Sequence, residues 1–225
     1  ARERDPTPGH DAPRRRTLHP MSDPTSPPAQ DATSATTPLE TTTLGGGCFW
    51  CLDAVYRGVE GVHDSVAGYA GGHAPHPTYA DVCTGTTGHA EVVRLTYDPA
   101  VVTFDDLLNV FFSIHDPTTK DRQGADVGPQ YRSIVLAESD AQAEAARAKI
   151  AELDAEATFG AAIVTEVERL ETFHPAEGYH QNFFANNPGQ GYCAAVIAPK
   201  VSAFRARHAH LLKPNRATPG TTGAT

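Results

Sequence analysis

Apolar residues recur along the chain at two spacings, one helical and one extended, and the two alternate between residues 41 and 212. Thr41–Leu44 is a β-branched run closed by Gly45-Gly46-Gly47, which predicts a strand running into a turn. From Cys48 the spacing changes. Phe49, Leu52, Val55 and Tyr56 recur at three and four residues, predicting a helix that begins at the cysteine and ends at Gly58 and Gly61. Val62–Tyr69 reads as a second strand, closed by Gly71-Gly72 and followed by a loop containing Pro75 and Pro77. GHAEVVRLTYDP reads as a strand stopped at Asp98-Pro99. Thr103-Phe104-Asp105-Asp106 carries a capping signature, and Leu107, Leu108, Phe111 and Phe112 give the next helix an apolar face as far as Asp116-Pro117. The loop DRQGADVGPQ leads into the strand YRSIVLA, and Ser139 caps an Ala/Glu/Lys-rich helix to about Thr158. Ile163–Leu170 is a further strand. Pro175 is expected to open a short helix, PAEGYHQNFF, because proline suits the first helical position. NNPGQGYC reads as a turn-rich loop and Pro199–Leu212 as a last helix.

Strands and helices are mixed, with short connections and no βαβ regularity. The pattern predicts an α+β fold with helices packed on a mixed or antiparallel sheet. The flanks differ from this core. Residues 1–40 are rich in Pro, Ser, Thr and charge and almost devoid of large apolar side chains, so burial cannot offset their ordering entropy and disorder is expected. The same holds for residues 214–225, PNRATPGTTGAT, which leaves a domain of residues 41–213. Arg14-Arg15-Arg16 precedes no apolar stretch and reads as part of a charged tail, not a targeting signal. The only methionine is Met21, which makes it the expected start of translation, with residues 1–20 upstream of it.

Composition narrows the function. A net charge of −9 argues against a nucleic-acid partner. No apolar run approaches the roughly 20 residues needed to span a bilayer. Four cysteines in 225 residues do not make a disulfide scaffold. With no secretory apolar region beside them, they point to a reducing, cytoplasmic setting. Nothing in the pattern demands more than a monomer.

The segment GGGCFWC concentrates the candidate chemistry. Cys48 at the start of a helix meets unpaired N–H groups and the positive dipole end, which favour a thiolate. The alternatives are a buried structural cysteine, a zinc clip with Cys51 and other ligands, or a thioredoxin-like dithiol. Three adjacent glycines argue against the first, and the lack of a second paired ligand motif against the second. Phe49 and Trp50 read either as core or as walls of an apolar slot suited to a methyl or thioether group. Glu91 shares its strand face with Val93, Leu95 and Tyr97. If that face is buried, desolvation raises its pKa and makes it a proton donor near neutral pH; otherwise it is a rim carboxylate. Tyr79, Asp126, Tyr131 and His180 lie in glycine-rich loops, each a weak signal alone. Cys83 reads as a buried structural cysteine, whereas Cys193, in GQGYC, reads as a mobile thiol.

Taken together, GGGCFWC, GYAGG, PTYADVCTGTTGHAEVV, YDP, QGADVGPQYRS, GYHQNFF and NPGQGYC resemble, in this order, the A-type peptide methionine sulfoxide reductases. The resemblance extends over Thr41 to Leu212. It implies a two-layer α/β sandwich of ferredoxin-like character and reduction of methionine S-sulfoxide, free or in proteins, as a repair reaction. It implies Cys48 as nucleophile, Glu91 as proton donor, and Phe49 and Trp50 around the substrate methyl group. Tyr79, Asp126 and Tyr131 would orient the sulfoxide oxygen, with His180 at the periphery. Cys48 would become a sulfenic acid, the reversible rung of cysteine oxidation. A second thiol would close a disulfide that thioredoxin, or an equivalent dithiol, reopens. No metal or organic cofactor is implied. The chain departs from the commonest family pattern at Cys51, where many relatives carry glycine, and at Ala125, where many carry asparagine. Cys193 matches the cysteine that resolves the sulfenic acid in many relatives. Cys51, one turn from Cys48, is a second resolving candidate or a relay to Cys193.

Overall fold

The computed structural model describes residues 38–214. The expected tails and the expected start at Met21 lie outside the described residues, apart from positions 38–40 and 214. The central sheet has the strand order β7-β6-β1-β3-β2-β8, formed by β1 (Glu40–Gly46), β2 (Val62–Ala70), β3 (Ala90–Tyr97), β6 (Ser133–Ala137), β7 (Glu166–Arg169) and β8 (Phe173–Pro175). All pairings are antiparallel except β6 with β7. Helices α1 (Phe49–Tyr56) and α3 (Phe104–Ile114) connect β1 to β2 and β3 to the segment leading to β6. The β-α-β-β-α-β order, with β6-β1-β3-β2 as its sheet, is the ferredoxin-like arrangement expected from the resemblance.

One face of β3 carries Glu91, Val93, Leu95 and Tyr97 into the main core, beneath α1 and α3 and alongside Phe204 of α6 (Ala198–Arg207). The Tyr56 hydroxyl donates to the Leu107 carbonyl at 2.9 Å and ties α1 to α3. The opposite face buries Ala90, Val92, Ile134 and Leu136 in a small cluster packed against Leu170 and Phe173. There Arg94 makes a two-point pair with Glu138, at 2.9 and 2.8 Å. The start of α3 follows the sequence: Thr103 and Asp106 form a reciprocal capping box. Ser139 likewise caps α4 (Asp140–Ala155).

Four local expectations are corrected. The glycines do not form a turn after the strand: Gly45 and Gly46 lie within β1, and Gly47 alone takes a positive φ, +90°. Pro175 opens no helix. It ends β8, an edge strand where its missing N–H leaves no bond unmade, and β8 fits against β2 because Gly68 has no side chain to meet Phe173. The following residues form a 3₁₀ turn, Gly178–His180, and a short helix α5 (Phe183–Asn186), separated by Asn182 in the left-handed region at φ 52°. The last helix starts earlier than Pro199. The chain is already helical at Tyr192 and passes through a π-turn, Cys193–Ile197, before α6. A widened turn at this point accommodates Pro199, which has no N–H to give and whose ring crowds the preceding turn. Finally, DRQGADVGPQ is not a plain loop. It contains a small hairpin, β4 (Arg122–Gln123) with β5 (Asp126–Val127), then a 3₁₀ turn at Pro129–Tyr131.

Candidate active site

The site forms where β1 hands over to α1. Gly45 and Gly46 let that junction sink between neighbouring elements. A Cβ on Gly45 would come within 2.9 Å of Ile134 and 3.0 Å of the Glu91 carbonyl, and one on Gly46 within 2.9 Å of Phe111. Cys48 then occupies the N-cap of α1. Glu91 reaches across from β3 and accepts the Phe49 N–H at 3.0 Å, using a donor that the helix start would otherwise leave unpaired. The strand alternation is therefore met on its buried side: Glu91 is 1% exposed. Burial pushes its carboxyl pKa up to about 8. The Phe49 N–H opposes the rise, and the charges of Asp126 and Cys51 add to it. At pH 7 this group holds its proton.

Cys48 and Cys51 are both buried and free, and their side chains lie within hydrogen-bonding reach. Burial raises the Cys48 thiol well above the ordinary value, and its hydrogen bond to Cys51 and the Glu91 charge raise it further. Cys51 shifts the other way. Its thiolate accepts from Cys48, against the cost of burial, and is favoured by the charge of Lys200 and by Tyr192. The expectation of a Cys48 thiolate at the helix start is thus corrected for the free protein. The Trp50 N–H at the helix start lowers the Cys48 thiol by less than burial raises it, so of the two thiols Cys48 is the harder to ionise.

Above the dithiol is a cluster of aromatic rings. Phe49 is completely buried and supports the cluster from below, with ring centroids 5.0 Å from His180 and 5.8 Å from Tyr69. Trp50 is half-buried. It stacks on Phe183 at 3.7 Å with 6° between planes, meets Tyr192 edge-on at 5.9 Å and donates its indole N–H to His180 Nδ1 at 3.1 Å. Of the two aromatics in CFW, Trp50 is the one exposed to a ligand. Tyr79, at the start of α2 (Tyr79–Cys83), and Tyr131 are also half-buried. Burial raises both hydroxyls, with Glu91 contributing in each case, so both remain protonated hydrogen-bond donors. Asp126 accepts from the Tyr192 hydroxyl at 2.9 Å. The structure therefore brings Cys48, Phe49, Trp50, Cys51, Tyr79, Glu91, Asp126, Tyr131 and His180 into one cluster at the start of α1.

Cys193 lies beside this group, not on a mobile loop. It is 1% exposed and opens the π-turn, and burial, with a smaller contribution from the charge of Cys51, raises its thiol. Cys83 is the reverse case. Expected to be buried, it is exposed at the end of α2, a single helical turn with little to cover it. Sequence reasoning also passed over Glu177, Phe183 and Tyr192. Their only local signal is proximity to His180 and Cys193, and their roles arise from contacts far apart in the chain. Among the described residues no group of three or more His, Cys, Asp or Glu side chains is placed to hold a metal ion. No helix there is long and apolar enough to cross a membrane.

This arrangement pairs a nucleophilic sulfur with a protonated carboxyl and tyrosine donors under an aromatic wall, a chemistry suited to removing oxygen from an uncharged sulfoxide. Comparison with known proteins leads to the same family. The model of the family described as peptide methionine sulfoxide reductase matches residues 40–212. The peptide methionine sulfoxide reductase MsrA of Polynucleobacter asymbioticus is 53% identical over 179 residues, covering 80% of this chain and 94% of that protein. The protein of the same name from Nautilia profundicola is 60% identical over 161 residues, covering 72% and 91%. Among solved structures, reduced Mxr1 of Saccharomyces cerevisiae superposes with a TM-score of 0.65 at 37% identity, over 69% of this chain and 89% of that one. Methionine sulfoxide reductase A of Corynebacterium diphtheriae gives 0.61 at 36% identity, over 67% and 76%. With the match running from the first residue of β1 to the end of the fold, the chain belongs to the peptide methionine sulfoxide reductase family, a family of oxidoreductases.

Proposed function

We propose that Cys48 reduces methionine S-sulfoxide with Glu91 as proton donor, and that Cys51 and then Cys193 carry the resulting oxidation to an external dithiol. Trp50 bounds the slot for the substrate methyl group, with Phe49 beneath it, while Tyr79, Tyr131 and Asp126 surround the oxygen. Cys51, within reach of the Cys48 sulfur, takes its proton, and the Cys48 thiolate attacks the sulfoxide sulfur. Glu91 gives its proton to the departing oxygen. The hydroxyl then passes from the substrate sulfur to Cys48: the Cys48 S–O bond forms as the substrate S–O bond and the new S–S bond break, methionine leaves with the electron pair, Glu91 is left a carboxylate and Cys48 a sulfenic acid. The Cys51 thiol then displaces hydroxide, which leaves as water, and a Cys48–Cys51 disulfide forms. Cys193 attacks Cys51, which frees Cys48, and thioredoxin or an equivalent dithiol reopens the Cys51–Cys193 bond by exchange.

The observation that carries this reading is the buried carboxyl of Glu91 bonded to the Phe49 N–H at 3.0 Å, next to the dithiol. The order of the thiols rests on Cys51 being in hydrogen-bonding reach of Cys48, and on Cys193 lying near enough for the Cys51 charge to raise its thiol. Four free cysteines fit a reducing, cytoplasmic compartment.

Methionine released by the fully reduced protein, with no added reductant, tests the thiol sequence. Wild type releases two equivalents, and Cys193→Ser releases one with a Cys48–Cys51 disulfide seen by peptide mass. Cys51→Ser also releases one and leaves a sulfenic acid that dimedone traps. A Cys48–Cys193 disulfide in Cys51→Ser, formed without a trappable sulfenic acid, would remove Cys51 from the sequence.

A further inference from the structure

Glu177 is not one of the residues gathered around the dithiol, yet it reaches two of them, Tyr79 and His180. Its Oε1 accepts the backbone N–H of Tyr79 at 2.8 Å. Its Oε2 accepts the Tyr69 hydroxyl at 2.9 Å and lies 3.8 Å from His180 Nε2. That nitrogen is buried and makes no hydrogen bond among the described residues, so the nearby carboxylate acts on it through charge. On its far side, His180 Nδ1 accepts the Trp50 indole N–H at 3.1 Å. A neutral imidazole carries one proton, so Nδ1 can accept only if Nε2 holds it. Burial lowers the His180 pKa, partly offset by Glu177, so the ring is neutral at pH 7. Burial alone would raise the Glu177 carboxyl. N–H bonds from Tyr79 and from Glu177 itself, together with the Tyr69 hydroxyl, hold it below the ordinary value, and it is ionised.

We propose that Glu177 is a positioning residue for the sulfoxide pocket: its carboxylate fixes the His180 tautomer whose lone pair holds the Trp50 indole, and anchors the backbone of Tyr79. The kinetic part of this proposal rests on the proposed function; the tautomer does not. The Glu177→Gln variant separates a tautomer role from packing. The Tyr79 N–H cannot turn away, so the new amide would set its oxygen toward Tyr79 and its NH₂ toward His180. The ring proton then moves to Nδ1, and two N–H groups confront each other at Trp50. Alanine removes the carboxylate without adding a donor, so the tautomer then rests on the Trp50 indole alone and is held less firmly than in the wild type, but it is not inverted.

Trp50 is the chain's only tryptophan, so ¹⁵N-labelled protein gives a single indole N–H resonance. In Glu177→Gln it moves upfield, and the KM for methionine sulfoxide rises about tenfold with kcat little changed, the size of one lost hydrogen bond. In Glu177→Ala the resonance moves less, although Ala is the larger structural change. ¹⁵N imidazole shifts of the wild type report the Nε2–H tautomer of His180 between pH 6 and 8. A wild-type Nδ1–H tautomer, or a Gln variant milder than Ala in the indole shift, overturns the proposal. Should the wild type fail to reduce the sulfoxide while these spectra behave as expected, the functional reading falls and the positioning network stands.

Discussion

Replacing Glu91 by glutamine isolates the proton donor, because the amide keeps the shape and its oxygen still accepts the Phe49 N–H that lies 3.0 Å from the carboxylate. Two magnitudes follow from a carboxyl raised from 4.5 to about 8 by burial. At pH 7 about nine in ten wild-type molecules hold the proton. Removing it costs the reductive step about a hundred- to ten-thousandfold, the usual worth of a positioned general acid. The second magnitude is in stability. Between the two pKa values the folded state binds a proton that the unfolded chain has lost. The stabilisation from this group is complete below about pH 4.5 and is lost as pH rises through about 8. The slope is about 1.36 kcal/mol per pH unit, so the group contributes roughly 2.5 kcal/mol of lost stability between pH 6 and pH 8. The Gln variant lacks this slope. Urea unfolding of reduced wild type and Glu91→Gln at pH 6, 7 and 8 measures it, and rapid-quench release of methionine measures the rate. The variant gains on wild type as pH rises while its rate at pH 7 collapses. Parallel stability curves, or a rate within threefold of wild type, would refute the reasoning.

Other positions give further tests. Trp50→Ala removes the exposed wall and its stack on Phe183, and raises the KM for methionine sulfoxide about ten- to a hundredfold in coupled turnover, with a smaller effect on kcat. Tyr79→Phe, which removes one oxygen donor, lowers single-turnover methionine release about tenfold and leaves the melting temperature nearly unchanged. Gly46→Ala forces a methyl group against Phe111 and His115, and lowers stability in urea by about 1–3 kcal/mol. Iodoacetamide at pH 7 with peptide mapping labels exposed Cys83 first; preferential labelling of buried Cys48 would contradict its protonated state.

The ferredoxin-like centre was legible because its elements have clear periods. In β3 the two-residue alternation assigns Glu91 to the face of Val93 and Leu95, and that face meets α1 and α3. The capping signals at Thr103 and Ser139 are local, and they hold. What was not legible depends on partners distant in the chain. β8 is a three-residue edge strand ending in proline, and only its fit over Gly68 makes it a strand. Cys193 is buried because the helix begins before Pro199 and bends through a π-turn, a geometry that no spacing announces. Cys83 is exposed because α2 is five residues long and covers only Val82. For Cys48 the sequence indicated the helix start but not the depth of burial, and burial decides where the proton sits. Glu177 has no pattern of its own; it stands out only through its hydrogen bonds with Tyr69 and Tyr79 and its approach to His180.

The central claim is that a single site, with Cys48 as nucleophile, reduces methionine sulfoxide of one configuration. A thioredoxin-coupled NADPH assay on the separated S and R sulfoxides tests it most directly. Wild type turns over the S form alone, and Cys48→Ser turns over neither. Equal turnover of both forms, or activity remaining in Cys48→Ser, would contradict the account.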